Sequence, residues 1–316
     1  MSRAPVLVVG RDHAAIAKFV RHGAPSREIR EVRSVSLTDA TAEDFDGVEA
    51  VLAFTLPEVA RGRLEGVAFV QSMGAGADGL LRFEGIPDTV AIARVTEVFG
   101  APISDYVLAR CLAIVQELPR LEAERRAGAW RPFFPRLLRD LRATVVGLGE
   151  IGREVALRLI ANGVSVLGVN RSGAAVEGIP RVESVENLAA AAQQADLLIL
   201  VIPHTSASER IVDAAVLAAL PSHAWLINVA RGAVVHERAL VDALTEGRIA
   251  GAALDVFENE PLAPDSPLRA LDNVMVSPHV AGVTTPRQAA DALLENLARN
   301  GDGRPLLGLV DRRRGY

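Results

Sequence analysis

Short apolar runs recur along the chain, separated by helical or irregular connections. Val6–Val9, ending at Gly10, is the first, and Ala50–Phe54, Val67–Gln71 and Val90–Val95 follow it. Their length and β-branched content predict buried strands. Strands that alternate with helices build an open, mostly parallel sheet. This first unit ends near Gly100-Ala101-Pro102, after which Ser104 offers an N-cap for a helix running to Leu118. The segment GAWRPFFPR at 128–136 carries prolines and aromatics, which mark it as an ordered connection rather than an element.

The second series is more regular. Strands are expected at Thr144–Val146, Ser165–Val169, Leu197–Val201, Trp225–Val229, Gly251–Leu254 and Val274–Val276, most of them separated by helical segments. That rhythm describes a six-stranded doubly wound nucleotide domain. After Pro286 an Ala- and Leu-rich helix runs to about Asn300 and is expected to pack back on the first unit. The fold class is therefore α/β, with two doubly wound parallel-sheet domains. A Rossmann-type cofactor domain is expected at 101–282, and a smaller, flavodoxin-like substrate domain at 1–100 and 283–316. A length of 316 residues agrees with two domains, since a single hydrophobic core seldom grows that far.

Composition narrows the classes of function. Half the residues are apolar and only 4% aromatic, which suits a buried parallel sheet under Ala-rich helices. The net charge of −5 argues against a nucleic-acid partner, and the densest basic run, Arg312 to Arg314, is too short to outweigh it. Cys111 is the single cysteine, so neither an intramolecular disulfide nor a multi-cysteine metal site is available, and no metal is expected. Its apolar helical setting points to packing. The opening apolar stretch is too short for a signal peptide, and no segment approaches the ~20 apolar residues of a membrane span. A cytoplasmic protein with no membrane partner is expected.

The strongest local motif is Gly147-Leu148-Gly149-Glu150-Ile151-Gly152, which follows a predicted strand and opens a predicted helix. Gly147 permits the tight turn, Gly149 lets the backbone approach a pyrophosphate, and Gly152 lets helix and strand pack closely. The N–H groups at the helix start, including those of Glu150 and Ile151, favour phosphate. An NAD site places a carboxylate at the end of the next strand to bind the ribose 2′-hydroxyl. Here that place holds Asn170, Arg171 and Ser172, where nothing repels a 2′-phosphate and Arg171 can pair with it. NADP is accordingly favoured over NAD.

Polar residues follow three further strands, at Arg231 in NVARG, Glu260 in DVFENEP and His279 in SPHVAG. Strand ends are where open α/β sheets bind ligands, so these groups share a place to meet. Hydride delivery to a keto carbon leaves negative charge on oxygen, which needs a proton donor, and His279 can serve near neutral pH. Glu260 would stabilise its imidazolium and orient the ring. Arg231 offers a planar fork to a carboxylate and a carbonyl oxygen. Pro203, His204, Ala230 and Asp255 lie at the same strand ends and are expected to line the cofactor, His204 near the nicotinamide.

These segments resemble the D-isomer-specific 2-hydroxyacid dehydrogenases, over a stretch running from MGAGAD (73–78) to the end of the chain. NRS after the second strand, WRP at 130–132 and the closing VDRRRGY are most similar to the glyoxylate/hydroxypyruvate reductase A branch. The resemblance implies an NAD(P)H-dependent oxidoreductase that interconverts a small 2-keto acid and its D-2-hydroxy acid. It also implies that backbone N–H groups at Gly74, Ala75 and Gly76 hold the substrate carboxylate. A homodimer joined through the helical region 101–120 is implied as well, with Trp130 either reaching the partner's site or packing at the interface. A phosphoglycerate-type dehydrogenase and a dinucleotide-sensing corepressor are the alternatives. A formate dehydrogenase is disfavoured, because that relative has Gln in place of Glu260.

Overall fold

The apolar runs form two separate parallel sheets in the computed structural model, which describes residues 4–33 and 39–316. The chain divides into one unit of residues 1–99 with 283–316 and another of residues 100–282.

The first unit contains β1 (Val6–Val9), α1 (His13–Gly23), β2 (Ile29–Val32), β3 (Ala50–Ala53), β4 (Phe69–Ser72), α2 (Asp78–Leu81) and β5 (Ala91–Ala93). Its strands are parallel in the order β2-β1-β3-β4-β5, the flavodoxin-like winding. The central strands are apolar on both faces because both faces are covered. Leu7, Val51 and Val70 pack with Phe45 and Leu64 on one side. On the other, Val6, Val8, Leu52 and Phe69 meet α1 and the closing helix, Pro286–Gly301 (α9), through Ile16, Val20, Leu293 and Leu297. Thr285 and Gln288 form a capping box at the start of α9, with Pro286 in its first turn. β2 was not among the expected strands: it is an edge strand reading Ile-Arg-Glu-Val, whose charges blunt an exposed edge.

The second unit contains α3 (Gly100–Val115), α4 (Leu118–Arg126), β6 (Arg142–Val146), α5 (Glu150–Ala161), β7 (Ser165–Asn170), β8 (Arg181–Ser184), α6 (Leu188–Ala192), β9 (Leu197–Leu200), α7 (Ala214–Ala219), β10 (Trp225–Asn228), α8 (Glu237–Thr245), β11 (Gly251–Leu254) and β12 (Val274–Val276). The seven strands lie in the order β12-β11-β10-β9-β6-β7-β8, all parallel. The seventh strand beyond the expected six is β8, another short polar edge reading Arg-Val-Glu-Ser. Strand order reverses between β6 and β9, which sets the ligand crevice at their carboxyl ends.

The helix expected from Ser104 starts one turn earlier, at Gly100. Pro102 is tolerated in that first turn, and the buried Ser104 hydroxyl donates to the Gly100 carbonyl instead of capping. Cys111 is buried on the same helix, and burial pushes its thiol up to about 12. At the foot of β9 the buried Asp196 accepts from the Arg142 N–H at 2.8 Å, from Arg136 at 3.0 Å and from His223 at 3.0 Å. Burial works to raise its pKa, but the hydrogen bonds of Arg136 and Arg142 and the charge of Arg136 outweigh it and hold the carboxyl below its ordinary range. Arg136 thereby pins one end of the connection after α4. Within that connection Phe133 lies under Arg120 of α4, while Trp130 and Phe134 stand 94% and 100% exposed. Among the described residues no helix is long and apolar enough to cross a membrane.

Candidate active site

The turn from β6 into α5 is built so that only glycine fits at its two ends. Gly147 has φ +97°, and a Cβ there would press on the Val201 carbonyl at 2.5 Å. A Cβ on Gly152 would overlap the Gly147 carbonyl oxygen itself. Gly149 is different: a Cβ there would meet nothing, so the space beside it is open to a ligand. It is also the N-cap of α5 without any side chain capping the helix, which leaves the first N–H groups and the positive dipole end available to phosphate.

β7 ends in a side-chain-built turn. Asn170 Oδ1 accepts from the N–H of Ser172 (3.1 Å) and Gly173 (2.7 Å), and its amide donates to the Ala174 carbonyl. Ser184 Oγ donates to the Arg171 carbonyl, so the backbone is held from both sides while Arg171 and Ser172 are exposed. No carboxylate occupies 170–172. After β9, Ser208 Oγ accepts from the Thr205 N–H and donates to the Pro203 carbonyl, fastening the loop that carries His204. His204 Nε2 is buried without a hydrogen-bond partner among the described residues. The open Gly149 flank, the uncapped α5 start and the cationic 170–172 turn together fit a phosphorylated dinucleotide.

After β10, Asn228 accepts from the Ala230 N–H and donates to the Arg231 carbonyl, both at 3.0 Å, which fixes the backbone on either side of Arg231. Nothing in the sequence reading pointed to Asn228. Arg231 Nη1 donates to the Ala230 carbonyl at 2.7 Å. Gly232 lies so close to the Phe257 backbone that any Cβ would overlap it. This contact joins the loop of Arg231 to that of Glu260. Glu260 Oε1 accepts from the Phe257 N–H at 3.1 Å, and Oε2 lies 2.8 Å from His279 Nδ1. With Nδ1–H donated to the carboxylate, Nε2 is left for an external oxygen. Burial works to raise the Glu260 pKa, but the His279 and Phe257 hydrogen bonds and the charges of His279 and Arg231 hold it below its ordinary value.

His279 is held in place by its own loop. Its φ is +55°, a left-handed conformation that an L residue keeps only when its surroundings impose it. Asp255, expected among the residues lining the cofactor, gives both oxygens to the chain itself. Oδ1 accepts from Ser277 Oγ (2.7 Å) and the Val280 N–H (2.9 Å), and Oδ2 from the Ala281 N–H (2.8 Å). The His279 N–H is shared between the Asp255 and Ser277 carbonyls.

In the first unit, Gly74, Ala75 and Gly76 follow β4. Ser72 Oγ donates to the Gly76 carbonyl at 2.6 Å, the Val95 N–H donates to the Gly74 carbonyl, and Phe54 packs against Gly74. The structure thus gathers the 147–152 turn, the 170–172 turn, His204, Ala230, Arg231, Glu260 and His279 at the carboxyl edge of one sheet, and holds 74–76 at the end of β4 in the other. Among the described residues no His, Cys, Asp and Glu cluster suits a metal ion.

Comparison with known proteins identifies the family of the chain. Residues 108–281 match the family model for the D-isomer specific 2-hydroxyacid dehydrogenase NAD-binding domain. The chain is 32% identical over 253 residues to glyoxylate/hydroxypyruvate reductase A of Yersinia enterocolitica, covering 78% of this chain and 81% of that protein. Among solved structures, a D-isomer specific 2-hydroxyacid dehydrogenase from Xanthobacter autotrophicus Py2, in complex with NADPH and MES, superposes with a TM-score of 0.90 at 34% identity, covering 99% of this chain and 100% of that one. An NADPH-dependent glyoxylate/hydroxypyruvate reductase from Sinorhizobium meliloti, in complex with NADP and sulfate, gives 0.91 at 28% identity, again covering 99% and 100%.

Proposed function

The chain belongs to the D-isomer specific 2-hydroxyacid dehydrogenases, and we propose that it is an NADPH-dependent reductase of small 2-keto acids of the glyoxylate and hydroxypyruvate type, giving D-2-hydroxy acids. The contact of 2.8 Å between Glu260 and His279 carries this reading, because it couples a proton donor to a group that keeps it charged. The NADP-bound and NADPH-bound relatives and the 170–172 turn support the choice of cofactor.

The reaction needs a hydride at the keto carbon, which a bound reduced nicotinamide supplies, and a proton at the oxygen. His279 Nε2 delivers the proton while Nδ1–H stays on Glu260, so the positive charge of the imidazolium is matched before transfer. Arg231 receives the substrate carboxylate and keto oxygen on its fork, and orients the carbonyl toward His279. The N–H groups of Ala75 and Gly76 hold the same carboxylate, beside Gly74, whose own N–H also reaches Ser72 Oγ. The backbone at Gly147, Gly149, Glu150, Ile151 and Gly152 receives the pyrophosphate. Asn170, Arg171 and Ser172 hold the 2′-phosphate, and Pro203, His204 and Ala230 line the remainder of the cofactor site.

We further read the protein as a cytoplasmic homodimer joined through the helical region 101–120. The exposed Leu112, Leu118, Leu121, Trp130 and Phe134 in and after this region support this, because an accumulation of large exposed apolar side chains is what association surfaces use. Trp130 either completes the partner's site or packs at the interface.

Initial rates of hydroxypyruvate and glyoxylate reduction, measured with NADPH and NADH in parallel, test the proposal. Turnover with a clear NADPH preference is the expected result. Turnover with NADH alone would overturn the cofactor assignment, and no turnover of either acid would overturn the substrate class.

A further inference from the structure

We propose that Tyr106 on α3 is a positioning residue for His279, acting through a hydrogen-bonded chain that runs from its phenol through Ser277 and Asp255 to the backbone of the His279 loop. The inference rests on reading His279 as the proton donor. Tyr106 and Ser277 stand 171 positions apart in sequence, yet their hydroxyl oxygens are 2.6 Å apart. Ser277 has a single proton, and it lies on Asp255 Oδ1 at 2.7 Å. The phenol must therefore be the donor to Ser277.

Every link beyond Ser277 bears on the left-handed turn at His279. Asp255 is buried and collects Ser277 Oγ–H with the N–H groups of Val280 and Ala281, which grips the loop on both sides of His279. Removing the phenol proton leaves Ser277 Oγ an unfilled lone pair inside the fold and frees it to turn from Asp255. Asp255 Oδ1 then keeps only the Val280 N–H. The φ of +55° at His279 loses part of what imposes it, and Nδ1 drifts from Glu260.

The hydroxyl is not needed to pack the helix. Ile103, Val107 and Cys111 are already buried on α3, and the guanidinium of Arg110 lies over the Tyr106 ring at 4.6 Å. Phenylalanine would keep those contacts. What tyrosine adds is one donor aimed at Ser277. Tyr106 itself touches neither substrate nor cofactor in this scheme.

The test uses the full-length protein as Tyr106→Phe, Ser277→Ala and the double variant, with hydroxypyruvate and NADPH. Losing one net hydrogen bond predicts a kcat about fivefold lower in Tyr106→Phe. The KM for hydroxypyruvate and the NADPH Kd should stay within about twofold, because neither binding surface moves. Since the links act in series, the double variant should be no slower than Ser277→Ala alone. A wild-type kcat in Tyr106→Phe would overturn the proposal. So would losses that multiply in the double variant, or a fall in kcat that merely tracks a loss of folded protein in thermal melts. If the wild-type protein reduces neither hydroxypyruvate nor glyoxylate, it is the proposed function that fails. The imidazole NMR resonances of His279, assigned by their disappearance in His279→Gln, then decide the matter: displacement in Tyr106→Phe supports the chain, and unchanged resonances overturn it.

Discussion

Exchanging Glu260 for glutamine removes a charge with almost no change of shape, and the structure allows its cost to be worked out. Oε1 accepts from the Phe257 N–H and Oε2 from His279 Nδ1–H. Both partners are donors, and a glutamine side chain has only one acceptor oxygen, so one of them loses its bond. The carboxylate and imidazolium charge centres lie roughly 4 Å apart, where their attraction is worth about 1 kcal/mol in water and about 4 kcal/mol near a protein surface. The side chains are 36% and 46% exposed, which screens the pair and places the value between those limits, near 2 kcal/mol. Two kcal/mol corresponds to about a thirtyfold fall in kcat. The KM for the keto acid should change little, since the proposed function gives the substrate carboxylate to Arg231 and the 74–76 backbone rather than to Glu260. The assay is kcat for hydroxypyruvate reduction at neutral pH. Glu260→Gln should lower kcat at neutral pH, because the charged donor has lost its counter-ion. A kcat within about threefold of wild type would refute the pairing as a source of catalysis.

His279→Ala should lower kcat by about a hundredfold or more, the usual worth of a positioned acid, and single-turnover NADPH oxidation would read it. Arg171→Ala should raise the KM for NADPH about tenfold or more while leaving that for NADH in place, as loss of a charged hydrogen bond to phosphate requires; parallel cofactor titrations would show the split. Gly152→Ala forces its methyl onto the Gly147 carbonyl, so the turn must open, and NADPH affinity measured by fluorescence titration should collapse. Asp196→Asn should lower stability at neutral pH by about 2 kcal/mol, because it removes a buried charge bonded to Arg136 and Arg142. The folded-state pKa of Asp196 lies below its ordinary 3.8, so this contribution is present above that value and is lost as pH falls through the lowered one. Urea melts should show the gap between wild type and variant closing in acid.

The sheets were legible because buried parallel strands are apolar on both faces, and Val6–Val9, Leu197–Leu200 and Gly251–Leu254 read as such without any partner in view. The edges β2 and β8 were not, since an edge strand favours the charges that hide it from a search for apolar runs. Ser104 illustrates a different failure: a serine before an apolar stretch signals a cap, yet its hydroxyl can also bond one turn back within a helix. Arg231, Glu260 and His279 could be singled out because each polar residue interrupts the chain just after a strand. What holds them could not. Gly232 is one glycine among 26 until the Phe257 backbone is seen against it, and the Tyr106–Ser277 bond spans 171 positions with no local sign at either end.

Asp255 and Glu260 show why position in sequence alone does not separate a structural carboxylate from a chemical one. Both follow β11 in the same loop, and both stand within hydrogen-bond reach of the His279 segment. Asp255 is buried and receives only neutral donors, from one hydroxyl and two backbone N–H groups, all of which fix a turn. Glu260 is half-exposed and receives one backbone N–H, which orients it, and one ring N–H whose charge changes during the proposed reaction. Only the second arrangement responds to the protonation state of the imidazole. The first sets where that imidazole stands, and it must be rigid for the same reason that the second must be responsive. A His279 ring free to leave its left-handed turn would exchange the contact with Glu260 for solvent, and the proton that Glu260 helps it hold would then stand away from the substrate oxygen.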